Sequence, residues 1–487
     1  MTSFDELCSP LVAYPVAFGH IGSQEESKAP PLCETCAFFI VRKEKRCRLA
    51  AVPGHDRCRT HLEGGQRSFE RVPCPLDPRH SVNRWQLDKH LKICTALRDA
   101  NFVSLQPFFK AGANAGQQTL PPPSLKQAAV FDRQSWLPRI EKAYPVALLR
   151  ALGSAGSPEE DEKRASWLLE QSLLDTELGT ELGHADKHGQ QNAALAKLAS
   201  QQGIFTTAEA SSKSLVVEYG CGRGGLALSV LEAVPGARGL LVDRDTRRHK
   251  VEKCREGGNE GVVRLRMDIE DFDLSAFLGE PLDKTRALPQ ASSFDPSGVL
   301  LSRCSRTAQR LEELWARAAA LQNQPPWPPP GVLVCAKHLC GGATDVALRS
   351  LLLSRRGVEE VSLAVCCATC CHHRCDAQSY VNLQFLTELG LCRTHEEFGE
   401  FVSTAGWGVG GQDRRLRRAG LMTKRILDLG RVAYLREELG LAVHLTSYIG
   451  KEVTPENIAI VGSGQPLKRE KKRTQVANLK QALLQQH

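Results

Sequence analysis

No run of about 18 apolar residues, the length a membrane-crossing helix needs, occurs anywhere in the 487-residue chain. The first apolar stretch, Leu11 to Phe18, follows Asp5 and Glu6 instead of a basic segment, and no small-residue cleavage site stands out. A secretory leader or membrane anchor is therefore not expected, and the expected location is intracellular, nuclear or cytoplasmic. Internal repeats are missing too. Neither sign of charge dominates, with 63 Lys and Arg against 55 Asp and Glu for a formal charge of +8. At 42% apolar, 24% charged and 26 prolines, the chain is neither collagen-like nor wholly disordered. Its length leaves room for about three domains, at least one with a large core. Nothing in it specifies an oligomeric state.

What is present in excess is cysteine. In an intracellular chain disulfides are disfavoured, so the 18 cysteines should bind metal or pack in cores. Seven precede residue 95, five crowd between Cys366 and Cys375, and six are scattered. The first group reads as metal chemistry and the scattered six as core thiols. Basic residues cluster at Arg42–Arg48, Arg414–Arg418 and Lys468–Arg473. Such runs are usually solvated faces or tails, although they also contact phosphates or serve as nuclear addresses.

Two ligand patterns stand out. Cys36-x10-Cys47-x10-Cys58-x2-His61 offers three thiolates and an imidazole, a closed tetrahedron for zinc, with Cys33 as a competing ligand. Cys74-x5-His80-x9-His90-x3-Cys94 offers a second set, with His90 and Cys94 expected on one face of a helix through QLDKHLKIC. Segments with so little apolar material draw their folding free energy largely from the metal. Both sites are closed, so their zinc is structural. Phe38, Phe39 and Trp85 are positioned either to stack on bases or to pack locally.

After residue 139 the pattern turns helical, with Ser157-Pro-Glu-Glu as a capped start. From Ser214 short apolar runs (LVVEYG, GLLVD, VVRLRMD, GVLVCAKH, VSLAVCC) alternate with helical segments, the texture of a doubly wound parallel sheet. The divisions read from this are a CCCH-type finger over 30–64, a CHHC-type finger over 70–98 and a linker over 111–138. A helical connector over 139–205, an α/β domain over 206–462 and a basic tail over 463–487 follow.

The first of these strands runs into Glu218-Tyr-Gly220-Cys-Gly222-Arg-Gly224-Gly225. Glycines there let the chain turn sharply and its backbone approach a ligand. An acid at the strand end and the x-G-x-G-x-G spacing favour S-adenosylmethionine over NAD. Asp243 then stands where ribose hydroxyls would lie and Asp268 where adenine would. The fourth strand ends in Lys337-His338-Leu-Cys340-Gly-Gly, past the carboxyl edge where open α/β sheets bind substrate. The fifth ends in the thiol- and imidazole-rich stretch Cys366–Cys375. That density invites a third zinc, although adjacent ligands cannot all reach one ion; lining an active site is the competing reading.

With the two fingers, KHGQQN at 187–192, VEYGCGRG, KHLCGGATDVAL and CCHHRCD at 370–376 in view, the sequence resembles the eukaryotic tRNA 2′-O-ribose methyltransferases acting on nucleotide four of the acceptor stem. The resemblance covers about 33–94 and 184–462. It implies a Rossmann-like, S-adenosylmethionine-dependent methyltransferase sheet behind two zinc fingers. It further implies a tRNA partner with cytidine or adenosine as target. A 2′-hydroxyl is weakly acidic, so a base or alkoxide-stabilising cation is needed; Lys337 is the first candidate, with His338 and His372 as competitors. A non-catalytic RNA-binding adaptor and an RNA base methyltransferase are the alternatives. Against the latter, KHLCG stands where an Asn/Asp-Pro-Pro-aromatic motif would be.

Overall fold

The computed structural model describes residues 35–40, 44–58, 61, 71–116, 120, 133–153, 157–171, 184–205, 207, 212–245, 261–282, 305–354, 361–409 and 413–464. The tail basic cluster Lys468–Arg473, Arg42, Lys43 and Cys33 lie outside them. The chain forms two compact units, Met1–Cys94 and Thr95–His487.

Two short hairpins build the first unit. β1 (Phe39–Ile40) pairs with β2 (Lys45–Arg46), and β3 (Arg71–Cys74) pairs with β4 (Asp77–Asn83), each antiparallel. The buried apolar cluster of the first hairpin consists of Cys36, Cys47 and Cys58 themselves. The helix expected through QLDKHLKIC is shorter than the ligand spacing implied: it spans Leu87–Leu91. Ile93 N–H then turns back to the His90 carbonyl at 2.9 Å, which swings Cys94 to 3.8 Å from Cys74, sulfur to sulfur.

In the second unit, seven strands form one sheet in the order β10-β11-β9-β8-β5-β6-β7. The strands are β5 (Leu215–Tyr219), β6 (Arg238–Val242), β7 (Val262–Leu265), β8 (Gly331–Cys340), β9 (Ser362–Cys370), β10 (Ala442–Ser447) and β11 (Ile458–Gly464). β11 runs antiparallel to both its neighbours, and the remaining pairings are parallel. Every residue of β5 and β6 is buried, as parallel strands covered on both faces require. The period of two divides β5 cleanly: Leu215, Val217 and Tyr219 enter one core and Val216 the other. Helices His184–Ser200 and Gly225–Ala233 cover the second core, through Leu195, Ala199, Leu226 and Val230. Ala343–Ser354, Arg133–Leu152 and the 26-residue Arg414–Leu439 cover the first. Strand order reverses between β5 and β8, so the crevice at their carboxyl ends is the binding place of an open α/β sheet.

Ser157 caps its helix as expected, its hydroxyl accepting from Glu160 N–H at 3.2 Å. The linker reading holds less well at its edges. Asn114 is 1% exposed and its amide donates to the carbonyls of Ile269 and Phe272, both at 2.7 Å. Residues 111–116 are thus docked beside the edge of the sheet, and a helix already begins at Arg133 despite Pro138 and Pro145. The helices read as a connector belong to the same unit as the sheet. β9 continues through Cys366-Cys-Ala-Thr to Cys370, five residues past VSLAV. No helix among the described residues is long and apolar enough to cross a membrane.

Candidate active site and metal centres

The finger ligands converge as their spacing predicted. Cys36 Sγ and Cys58 Sγ lie 3.3 and 3.4 Å from His61 Nδ1, and Cys47 Sγ is 4.0 Å from Cys58 Sγ. In the second unit of ligands, His90 Nε2 is 3.3 Å from Cys74 Sγ and His80 Nε2 is 3.6 Å from Cys94 Sγ. A tetrahedral zinc with Zn–S of about 2.3 Å and Zn–N of about 2.0 Å separates its ligand atoms by about 3.3–3.8 Å, so both donor sets fit that ion. Asp77 stands 3.6 Å from His80 Nδ1, the carboxylate that fixes a ligating imidazole's orientation. Hydrogen bonds from Arg79 lower the Asp77 carboxyl to about 2, keeping it charged. Phe38 packs locally, stacked on the His61 ring at 3.9 Å, whereas Phe39 and Trp85 are about half exposed, at 51% and 48%.

At the switch point the glycine loop leaves β5 with Gly220, Gly222 and Gly224 all at positive φ, 60°, 50° and 90°. A Cβ on Gly222 would meet nothing within 4 Å, so the loop surrounds open space of the kind a cofactor's close approach requires. Asp243, at the end of β6, turns its carboxylate onto the loop, accepting from Gly222 N–H at 2.6 Å and Asp245 N–H at 2.7 Å. Glu218 points inward instead: 3% exposed, it accepts from Ala227 N–H at 2.9 Å and braces the loop against the following helix. Burial raises its carboxyl to about 8. Asp268, part-exposed three residues past β7, caps the turn after it and lies 3.7 Å from Arg244. Arg264, which sequence reasoning missed, reaches from β7 to the Gly222 carbonyl at 2.9 Å and to Cys221 Sγ at 2.8 Å.

Across the crevice, β8 bulges between Lys337 and Leu339, and His338 takes φ 65°. Bulges of this kind re-aim side chains beside functional sites. Lys337 Nζ donates to Asn192 Oδ1 at 2.5 Å, and the rings of His188 and His338 meet edge to face at 5.5 Å. The KHGQQN segment thus lies on the helix flanking β8, and it supplies the partners of both candidate bases. Asn192 also touches the glycine loop, since a Cβ on Gly225 would fall 2.8 Å from its Nδ2. Burial lowers the Lys337 ammonium, opposed by Glu218. Burial and the neighbouring Lys337 lower His338 to about 4, leaving a neutral imidazole.

His372 is not brought to this surface. It is fully buried, with Nε2 at 2.8 Å from Asp428 Oδ1. As placed it cannot meet a ribose hydroxyl, which corrects its candidacy as a proton acceptor. Asp428 also accepts from Thr369 at 3.0 Å and from Arg425 and Arg431 at 3.1 Å each, while Arg431 forks onto Asp345 at 3.0 and 2.6 Å. Burial alone would raise the Asp428 carboxyl, but His372 and the two arginines hold it well below the carboxylate range. The network ties the end of β9 and helix Ala343–Ser354 to helix Arg414–Leu439. Its charged members on that last helix carried no signal in the sequence beyond an ordinary mix of charge. A polar cleft of about 850 Å³ lined by Lys110, Asn114, Arg349 and Glu438 contains none of these groups.

Comparison with known proteins agrees with this arrangement. The profile of the family described as Methyltransferase TRM13 matches residues 190–288, 319–419 and 412–463, half of the chain. A CCCH zinc finger in TRM13 protein matches 34–62 and a U11-48K-like CHHC zinc finger matches 71–95. The tRNA:m(4)X modification enzyme TRM13 of Vanderwaltozyma polyspora is 25% identical over 90% of this chain and 99% of its own. That of Saccharomyces cerevisiae is 24% identical over 88% and 95%. The human homolog is 26% identical over 80% and 77%. With two finger tetrads, a sheet of this strand order and a matching profile across it, the chain belongs to the TRM13 methyltransferase family.

Proposed function

We propose that this chain methylates the 2′-hydroxyl of cytidine or adenosine at position 4 of the tRNA acceptor stem, using S-adenosylmethionine and carrying two structural zinc ions. The observation that carries the reading is the facing of two elements at one switch point. The open glycine loop with Asp243 stands on one side, and Lys337 and His338, held by His188 and Asn192, stand on the other.

When bound, the donor supplies a sulfonium methyl open to in-line displacement. The backbone of Gly220–Gly224 would hold its methionine part, Asp243 its ribose hydroxyls, and Asp268 its adenine side. Lys337 accepts the 2′-hydroxyl proton at Nζ, as the neutral amine that burial favours. Asn192 fixes that amine's direction, and the neutral His338 is the adjacent acceptor. In a duplex stem the 2′-hydroxyls line the shallow minor groove, so the target can be reached without flipping a base. Lys45, Arg46 and Arg48 in the first finger neutralise tRNA phosphates.

Calorimetry and label transfer test this together. The protein should bind S-adenosylmethionine and pass its labelled methyl to tRNA, and Gly222→Val should lose both by filling the open cradle. Cofactor binding unaffected by Gly222→Val would contradict the placement, and binding without transfer to any tRNA would favour an adaptor.

A further inference from the structure

The end of the β8·β9 pair carries three cysteine side chains that the methyl transfer does not use. The parallel register sets Cys340 opposite Cys370, and Cys371 follows directly with φ 47°. That turn returns Cys371 Sγ to 3.3 Å from Cys340 Sγ, and the sulfurs of Cys340, Cys370 and Cys371 all lie within 4.8 Å of one another. Around a tetrahedral zinc, thiolate sulfurs sit about 3.8 Å apart, the same range the finger ligands occupy. Vicinal cysteines alone could not surround an ion. The third ligand comes from a residue 30 positions earlier, brought in by strand register. Cys370 and Cys371 are half-buried while Cys340 is exposed, so the group is walled on one side and open on the other. A disulfide would join only two of these sulfurs and strand the third.

We propose that Cys340, Cys370 and Cys371 form a third metal site, binding one zinc ion as a tris-thiolate whose fourth position stays open to an oxygen ligand, water in the free protein. The three thiols release their protons to solvent as the ion binds. Unlike the finger tetrads, which close their ions off, three protein ligands leave an exchangeable position. Cys340 follows Lys337 by three residues on the same strand, so that position opens at the carboxyl edge of the sheet. The thiols alone carry the site, whatever reaction the crevice performs.

Native mass spectrometry of the full-length protein, purified in reductant without chelator, should count three zinc ions per chain. Cys340→Ser, at an exposed position, should count two and keep its cofactor affinity, and Cys74→Ser should also count two by losing a finger ion. In the unsubstituted protein, Cys340 should resist alkylation despite its exposure until a chelator removes the metal. Two zinc ions in the unsubstituted protein, three in Cys340→Ser, a mass 2 Da low from a disulfide, or immediate alkylation of Cys340 in the metal-loaded protein would each overturn the site. Should Cys340→Ser fail to fold, the alkylation of the unsubstituted protein decides alone.

Discussion

Lys337 and Glu218 are single side chains whose protonation bears on the reaction and on stability. As a base Lys337 works only when its amine is neutral, so activity should rise with pH. Because burial lowers its ammonium from 10.5, the midpoint of that rise should fall below this value in a pH–rate profile. Lys337→Ala should cut the rate by about 10²–10⁴ with cofactor and tRNA affinity retained; full activity would move the proton transfer to His338. Glu218 acts on folding. Its carboxyl is raised from 4.5 to about 8 by burial, so the folded protein holds a proton that the unfolded chain gives up. Stability from this group is complete below pH 4.5 and is lost as pH rises toward 8. Glu218→Gln keeps an acceptor for Ala227 N–H and removes the titration, so its melting temperature should fall less across that window. Parallel melting curves for the two proteins would show that Glu218 is charged in the fold.

Among the elements, the KHGQQN helix supplies the partners of both candidate bases, and the helix Arg414–Leu439 carries the buried network behind the sheet. Asp428→Asn leaves the buried Arg425 without its carboxylate and Arg431 with Asp345 alone. It should cost about 3–5 kcal/mol, read as a lowered denaturant midpoint. The parallel strands were legible because each opens as a short apolar run, and three of the runs end in a glycine or an acid, as in LVVEYG and GLLVD. Their carboxyl ends were not, because Ala368, Thr369 and Cys370 carry no apolar run and become strand through pairing with β8, and with β11 at Ala368. β10, β11 and the long helix went unread for a related reason: their register depends on distant partners. The convergence of the two Cys/His tetrads was legible, since residue type and spacing are written locally. The partnership of Asn192 with Lys337 was not, being 145 residues apart, and neither was the burial of His372. An imidazole in CCHHRC carries no mark of Asp428 behind it.

At the scale of the whole molecule, the chain divides at Cys94 and Thr95, and a division of labour should follow it. A chain lacking residues 1–94 should keep cofactor affinity. Its tRNA binding should weaken and become less salt-dependent, because Lys45, Arg46 and Arg48 no longer displace counterions from phosphates. Cutting at residue 110 instead would remove Gln106, whose side chain accepts from Arg266 N–H at 2.8 Å, and should destabilise the larger unit. The central claim is the site of methyl transfer. Incubating unmodified tRNA with isotope-labelled S-adenosylmethionine and the full-length protein, then mapping the label by mass spectrometry of nuclease fragments and nucleosides, tests it most directly. The result expected is one labelled 2′-O-methylcytidine or 2′-O-methyladenosine per tRNA, at position 4, and none with Gly222→Val. Label on a base, or on a ribose elsewhere in the tRNA, would contradict it.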